Sequence, residues 1–258
     1  MLCSTGKVIM EQIYTIPVNE AFEEAAAGNN GCACPFCLMY NRLEDNELDL
    51  ILGASMMEPD VRLKTNEAGF CPTHLDLMFS RSKRLPLALM LESHLDAIAK
   101  ELAPSGIAGM FPAKAGDAAA KRLEKLAGDC YICSRIQYNF SRMVETAALL
   151  WQSDSAFHDK LKKIPHFCLP HYGMFLRAAK ERLSKKDFVE FYNDISAVEN
   201  TYFDKLREDV SWFCKKFDYR YENEPWGDAK DAPERANAFL SGTLHVHEET
   251  KKPSDGLT

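Results

Sequence analysis

Apolar residues recur along most of this chain at mixed three- and four-residue steps, the spacing of one face of an α-helix. From Leu38 they fall at Leu43, Leu48, Leu50, Ile51 and Leu52, and Gly53 is a natural stop. Glu58-Pro59-Asp60-Val61 opens another helix, because proline suits the first turn, where its missing N–H has no partner to lose. Residues 75–81 and 86–102 read as two more, the second carrying Leu87, Leu91, Leu95, Ile98 and Leu102. Residues 118–127, 133–151, 154–163, 171–183 and 186–215 continue the helical theme. Strand-like alternation is nearly absent, and only Val8 to Pro17 reads as extended. The predicted fold class is all-α.

Over this pattern runs a repeat. Cys34-Pro35-Phe36-Cys37 is followed by Phe70-Cys71-Pro72-Thr73-His74, and Cys130-Tyr131-Ile132-Cys133 by Phe167-Cys168-Leu169-Pro170-His171. Positions 34 and 37 recur 96 residues later at 130 and 133; positions 71 and 74 recur 97 residues later at 168 and 171. A single one-residue insertion covers the difference. We read two duplicated helical units, each with a Cys3His metal site. The expected organisation is an N-terminal extension over 1–30, a first unit over 31–102, a linker over 103–117 rich in Gly and Pro, a second unit over 118–221, and an acidic tail over 222–258. That tail holds eight acids against four Lys or Arg, and beyond Gly242 it is expected to be disordered.

The ligand chemistry follows from the spacing. Two residues three apart at a helix start converge on one ion, and a second pair from a distant segment completes a tetrahedron. The expected metal ligands are Cys34, Cys37, Cys71, His74, Cys130, Cys133, Cys168 and His171, holding two zinc ions per chain. Three thiolates and one imidazole leave a zinc site net negative, and the positive end of a helix stabilises that charge. Closure within each unit is the simpler pairing; the alternative joins Cys34 and Cys37 to Cys168 and His171. Four protein ligands leave no open position, so the sites read as structural. An iron–sulfur cluster is the alternative cofactor, since thiolate-rich sets hold clusters too. A dithiol redox protein is the other rival, although the βαβ context of such sites is absent.

Composition narrows the classes further. With 258 residues and 46% hydrophobic positions, the chain can bury a core without disulfides, so nine cysteines point to reduced thiols with a role. A net charge of −7 argues against a nucleic-acid partner or an anionic membrane. No run approaches the length of a membrane span and no secretory signal opens the chain, so a cytoplasmic protein is expected. Gly-rich phosphate loops, G-x-S-x-G and H-E-x-x-H are missing, which leaves an enzyme as the less favoured reading. Cys3, Cys32 and Cys214 fall outside the repeat, and His94, His158 and His166 carry no motif. One stretch differs between the units: Glu58, Asp60, Arg62, Asn66 and Glu67 could line a polar ligand pocket, or simply form a solvated helix face. Near the C-terminus, Lys215-Lys216-Phe217-Asp218-Tyr219-Arg220-Tyr221 and Glu224-Pro225-Trp226-Gly227 suggest a segment docked on a surface.

The chain also resembles the DUF6062 family of bacterial proteins of unknown function. The resemblance rests on Tyr14-Thr15-Ile16-Pro17-Val18-Asn19-Glu20-Ala21-Phe22, Cys34-Pro35-Phe36-Cys37, Glu58-Pro59-Asp60-Val61-Arg62, Thr65-Asn66-Glu67, Gly69-Phe70-Cys71, Cys130 with Cys133, Phe167-Cys168-Leu169-Pro170-His171, and Lys215-Lys216-Phe217-Asp218-Tyr219-Arg220 with Glu224-Pro225-Trp226-Gly227. It implies a bacterial source and supplies no mechanism. The expected role is therefore a metal-binding scaffold serving interaction or regulation, with an unidentified protein or small-molecule partner.

Overall fold

In the computed structural model, residues 5–28, 33–103 and 112–246 are described, and side chains are described from residue 13 onward except for 112–114 in the sixth helix. Eleven α-helices and no strand are found among them. In chain order these are α1 (Thr5–Ala27), α2 (Pro35–Ile51), α3 (Pro59–Ala68), α4 (Pro72–Ser80), α5 (Arg84–Leu102), α6 (Pro112–Gly128), α7 (Tyr131–Ser153), α8 (Ser155–Leu161), α9 (Leu169–Arg182), α10 (Lys185–Lys215) and α11 (Ala232–Ser241).

The compact units are not the sequential ones expected at 31–102 and 118–221. One comprises residues 1–41 with 140–246; the other comprises 42–139, and 247–258, assigned with it, lie outside the described residues. The boundaries fall inside α2 and α7.

The first unit is built on aromatic packing. Val18, Ala21, Phe22 and Ala25 of α1 are fully buried, an i, i+3, i+4, i+7 stripe. This corrects the extended reading of Val8 to Pro17, which lies within α1. The β-branched residues and Pro17 mask the helix there, but the stripe that follows decides the conformation. Phe22 meets Phe157 of α8 at a ring-centroid distance of 4.6 Å. Phe36 packs on Phe167 at 5.6 Å and on Phe175 at 4.9 Å, and Phe175 packs edge-on against Phe191 of α10 at 4.8 Å. Offset and edge-on geometries of this kind add to the gain from area burial. Asp154 caps α8 by accepting from the N–H groups of Ala156 and Phe157, and Ser184 caps α10 through Asp187 N–H.

The C-terminal region is described as far as Val246; of the tail expected to be disordered beyond Gly242, residues 247–258 lie outside the described residues. α11 docks on α10 through Arg235, which pairs with the buried Asp209 at 3.0 Å. Residues through Val246 are described, and Asn41 Nδ2 donates to the Thr243 carbonyl at 2.9 Å. The Lys215–Gly227 segment folds around Lys216, which is buried. Its ammonium donates to the carbonyls of Tyr221, Glu222 and Glu224 at 2.6, 2.9 and 2.6 Å.

The second unit uses a short α3 tied to α5 and α6. Arg62 donates to the carbonyls of Met56 and Leu89 and to Ser93 Oγ, and Ser93 in turn donates to Asn66 Oδ1. Arg122 of α6 donates to the carbonyls of Asn66 and Glu67. In α5 the buried side chains are Leu87 and Met90, whereas Leu95 of the expected stripe is exposed. The expected linker at 103–117 is shorter than its sequence suggests: α6 begins at Pro112, and residues 104–111 lie outside the described residues.

Candidate metal centres

Each C-x-x-C and each C-x-x-H pair sits at the N-terminal end of a helix. Cys71 and Cys168 are the N-caps of α4 and α9, with His74 and His171 one turn inside. Cys34 and Cys130 stand immediately before α2 and α7. Proline at the second or third position of three of these motifs fixes the first turn, and the positive helix end favours thiolate over thiol.

Folding gathers the eight residues into two groups, each within one compact unit. Cys34, Cys37, Cys168 and His171 form centre A; Cys71, His74, Cys130 and Cys133 form centre B. Closure of the first C-x-x-C on the first C-x-x-H is therefore not what the fold does. The pairing is nested, the outermost motifs with each other and the inner ones with each other. Its cause is packing between the motifs. Phe36, inside the first C-x-x-C, is buried against Phe167, which directly precedes Cys168. In the other unit the Tyr131 N–H donates to the Gly69 carbonyl at 3.0 Å, holding Cys130 and Cys133 against Phe70-Cys71. Gly69 takes φ +65°, and a Cβ there would lie 3.1 Å from His94 Nε2, so glycine is required at this junction.

The separations fit a single tetrahedral ion. Bonds of about 2.3 Å to sulfur and about 2.1 Å to nitrogen place sulfurs about 3.8 Å apart and sulfur about 3.6 Å from nitrogen. In centre A, Cys37 and Cys168 Sγ are 3.7 Å apart, and His171 Nδ1 is 3.7, 3.4 and 3.2 Å from the sulfurs of Cys34, Cys37 and Cys168. In centre B, Cys71 and Cys133 Sγ are 3.8 Å apart, and His74 Nδ1 is 3.1, 3.4 and 3.3 Å from those of Cys71, Cys130 and Cys133. None of the seven described cysteines is in a disulfide.

The surroundings of the two centres differ. All four residues of centre A are buried. The Thr243 N–H donates to Cys37 Sγ at 3.3 Å, and Gly242, at φ +83°, passes so close that a Cβ would stand 3.3 Å from Cys168 Sγ and 3.4 Å from Cys37 Sγ. In centre B, Cys130 and His74 are buried but Cys71 and Cys133 are half-exposed. His74 Nε2 lies 3.0 Å from Oε1 of Glu44, itself fully buried. A carboxylate only accepts, so Nε2 carries the proton and Nδ1 turns its lone pair to the sulfurs.

The electrostatics are those of a crowded donor set. Burial raises the Cys34 thiol, whereas hydrogen bonds from Cys34 and Cys37 lower Cys168. In centre B, burial works against Cys130, but hydrogen bonds from His74 and from backbone N–H groups bring it down to about 6. Burial and the neighbouring Cys130 raise Cys133. Burial disfavours a charged His74, yet its contacts to Cys130 and Glu44 outweigh this and raise it to about 10. In centre B the Cys130 sulfur and the His74 imidazole thus share a proton that a bound cation would displace.

The polar stretch of α3 is distributed otherwise. Arg62 and Asn66 are engaged in the ties that hold α3 to α5. Glu58 and Asp60 are exposed at the start of α3, and Glu67 pairs with Lys125 at 3.0 Å. Glu67 borders a cleft of ≈ 460 Å³ shared with Lys64, Ala68, Tyr131, Ser134, Arg135 and Tyr138. His94 donates from Nδ1 to the Asn66 carbonyl at 3.2 Å. Cys214 is exposed, and Cys3 and Cys32 lie outside the described residues.

Four residues that support the centres carry no motif: Glu44, Glu199, Gly242 and Thr243. Glu199 of α10 accepts the Phe167 N–H at 3.0 Å and so positions the turn before Cys168. Glu44 and Glu199 had a readable signal. Glu44 precedes Leu48 and Ile51 at i+4 and i+7, and Glu199 follows Ile195 and Phe191 by four and eight residues; an acid on an apolar stripe has a buried partner to meet. Gly242 and Thr243 had none.

Fold and centres together define an all-helical protein with two Cys3His clusters able to hold metal ions. The chain belongs to DUF6062, a family of unknown function, whose pattern matches residues 9–247. No curated protein and no solved structure matches it. No helix among the described residues is long and apolar enough to cross a membrane.

Proposed function

We propose that this chain is a zinc-binding helical scaffold with one ion in each of centres A and B. The observation that carries this reading is the donor geometry: in each centre two cysteine sulfurs stand 3.7–3.8 Å apart, the edge of a tetrahedron about 2.3 Å in radius, and three sulfurs lie 3.1–3.7 Å from one histidine Nδ1. Cys34, Cys37, Cys168 and His171 would hold one ion; Cys71, His74, Cys130 and Cys133 would hold the other. Four protein donors per ion leave no position for water or substrate, so the ions serve to fix structure. Each ion ties together two helix starts that are far apart in sequence, and so supplies folding energy to its unit. The reading places the chain in a reducing, cytoplasmic setting, where thiols stay free to bind metal. The role that follows is a binding or regulatory scaffold rather than an enzyme.

Elemental analysis of the purified chain tests this directly. The expected result is a colourless protein with about two zinc per chain whose thermal transition drops steeply after treatment with a strong chelator. A brown sample with iron and acid-labile sulfide would replace zinc by an iron–sulfur cluster. A metal-free chain with an unchanged transition would overturn the reading.

A further inference from the structure

We propose that centre B is a modification site: Cys71 and Cys133 are open to soft electrophiles and peroxides, and their modification releases ion B while ion A stays bound. This inference rests on the metal reading of the two centres. It is carried by a difference between sites with the same donor set.

The four donors of centre A are all buried. The chain closes over it at Gly242, whose Cα leaves no room for a methyl beside Cys37 and Cys168, and the Thr243 N–H occupies a lone pair of Cys37 Sγ. A reagent reaches those sulfurs only after the Gly242-Thr243 segment has moved away. In centre B the two half-exposed donors, Cys71 and Cys133, are also neighbours, with sulfurs 3.8 Å apart. The buried members, Cys130 and His74, lie behind them, and His74 is anchored to Glu44 at 3.0 Å. Attack thus falls on two sulfurs that can react with one another. Thiolates held by a cation remain nucleophilic, and reactivity follows access.

With peroxide the chemistry balances without another reagent. One thiolate attacks a peroxide oxygen; the O–O bond breaks, a sulfenic acid forms on that sulfur, and hydroxide leaves to be protonated to water. The second thiolate attacks the sulfenic sulfur, the S–S bond forms and a second hydroxide leaves. Two thiolates have lost two electrons, and the peroxide has been reduced to two waters. Cys130 and His74 remain as donors, too few to retain the ion. With an alkylating electrophile each sulfur is capped singly, with the same loss of donors.

The test uses the full-length zinc-loaded chain with Cys3, Cys32 and Cys214 replaced by serine, so that only the six cluster thiols can react. Zinc content is measured first, then the chain is exposed to N-ethylmaleimide or to hydrogen peroxide. Zinc release is followed with a chromogenic chelator, and the modified residues are mapped by peptide mass. The expected result is release of one equivalent in a fast phase, with Cys71 and Cys133 modified at least about tenfold faster than Cys34, Cys37 and Cys168. In the same background, Cys133→Ser removes a donor of centre B, so the chain should hold about one zinc and keep only the slow phase, with Cys34, Cys37 and Cys168 labelled as slowly as in the parent. If that variant does not fold, the peptide map of the parent decides alone. A chain holding two zinc ions that releases both together, or that is modified first at Cys34, Cys37 or Cys168, overturns this inference and leaves the metal reading standing. A chain without zinc overturns both.

Discussion

Glu44 Oε1 lies 3.0 Å from His74 Nε2, and both residues are sealed from solvent. A buried carboxylate without a cationic or donor partner would cost several kcal/mol, so the pair exists because the imidazole supplies a proton at Nε2. The carboxylate also fixes which nitrogen faces the cysteines. Replacing Glu44 with glutamine keeps the volume and lets the amide oxygen still accept, but removes the charge that raises the basicity of the imidazole. Zinc affinity of centre B should fall by about 10- to 100-fold, with centre A unchanged. Competition against a chelator of known affinity reads this as a separation of two release steps.

The corresponding support of centre A is backbone. Gly242 takes φ +83°, and its Cα approaches Cys37 and Cys168. Gly242→Ala introduces an unfavourable backbone region together with a methyl 3.3–3.4 Å from two sulfurs. The expected destabilisation is about 1–3 kcal/mol, read from chemical unfolding of the zinc-loaded chain, and metal should leave centre A faster than centre B in this variant. An equal effect on both centres would show that Gly242 acts through general stability.

How far the centres were legible follows from where their information lies. The eight donors stand out because Cys and His at three-residue spacing have few structural uses, and a recurrence 96 or 97 residues on is hard to produce by packing alone. The pairing did not stand out, because either arrangement satisfies the same spacing; it is set by Phe36 against Phe167 and by Tyr131 N–H on Gly69 O, contacts between segments over 60 residues apart. Helix α1 was hidden by Ile13, Thr15, Ile16 and Pro17, although Val18, Ala21, Phe22 and Ala25 carried its buried stripe. Arg62 and Asn66 looked like ligand-binding groups because a buried structural tie and a binding site use the same polar residues. The order of residues 243–246 was invisible, since it depends on Asn41 and Cys37, more than 200 positions away.

Glu199 gives the fold a predictable pH response. Burial, with the Cys168 thiolate nearby, pushes its carboxyl up to about 7, against about 4.3 in an unfolded chain. The folded state therefore binds a proton that the unfolded state has already released between those values. Its contribution to stability is fully present below about pH 4.3 and is lost as pH rises through 7. Glu199→Gln removes this dependence while keeping an acceptor for the Phe167 N–H. The variant should be more stable than the parent at pH 8, by about 4 kcal/mol at most, and the difference should shrink to nothing near pH 4. Parallel denaturation curves at the two pH values measure it; a constant offset would mean that the effect is steric.

Lys216 organises the C-terminal segment by satisfying three carbonyls at once. Its ammonium reaches Tyr221, Glu222 and Glu224 within 2.6–2.9 Å and stands 5.4 Å from the Trp226 ring centroid, while Trp226 packs on Phe213 at 5.6 Å and Trp212 Nε1 donates to the Pro225 carbonyl at 3.1 Å. Methionine in its place matches the length and apolar body but leaves three carbonyls without that donor and removes the cation from the indole face. The loss should be about 2–4 kcal/mol, since hydrogen bonds from a charged donor contribute more than neutral ones. Because the segment leads directly into α11 and Gly242, the same substitution should loosen the cover of centre A. Lys216→Met should therefore change the tryptophan emission, lower the thermal transition and speed alkylation of Cys37 and Cys168, whereas Lys216→Arg should recover part of all three. Destabilisation without faster labelling of those two thiols would show that the cover of centre A is independent of the lysine knot.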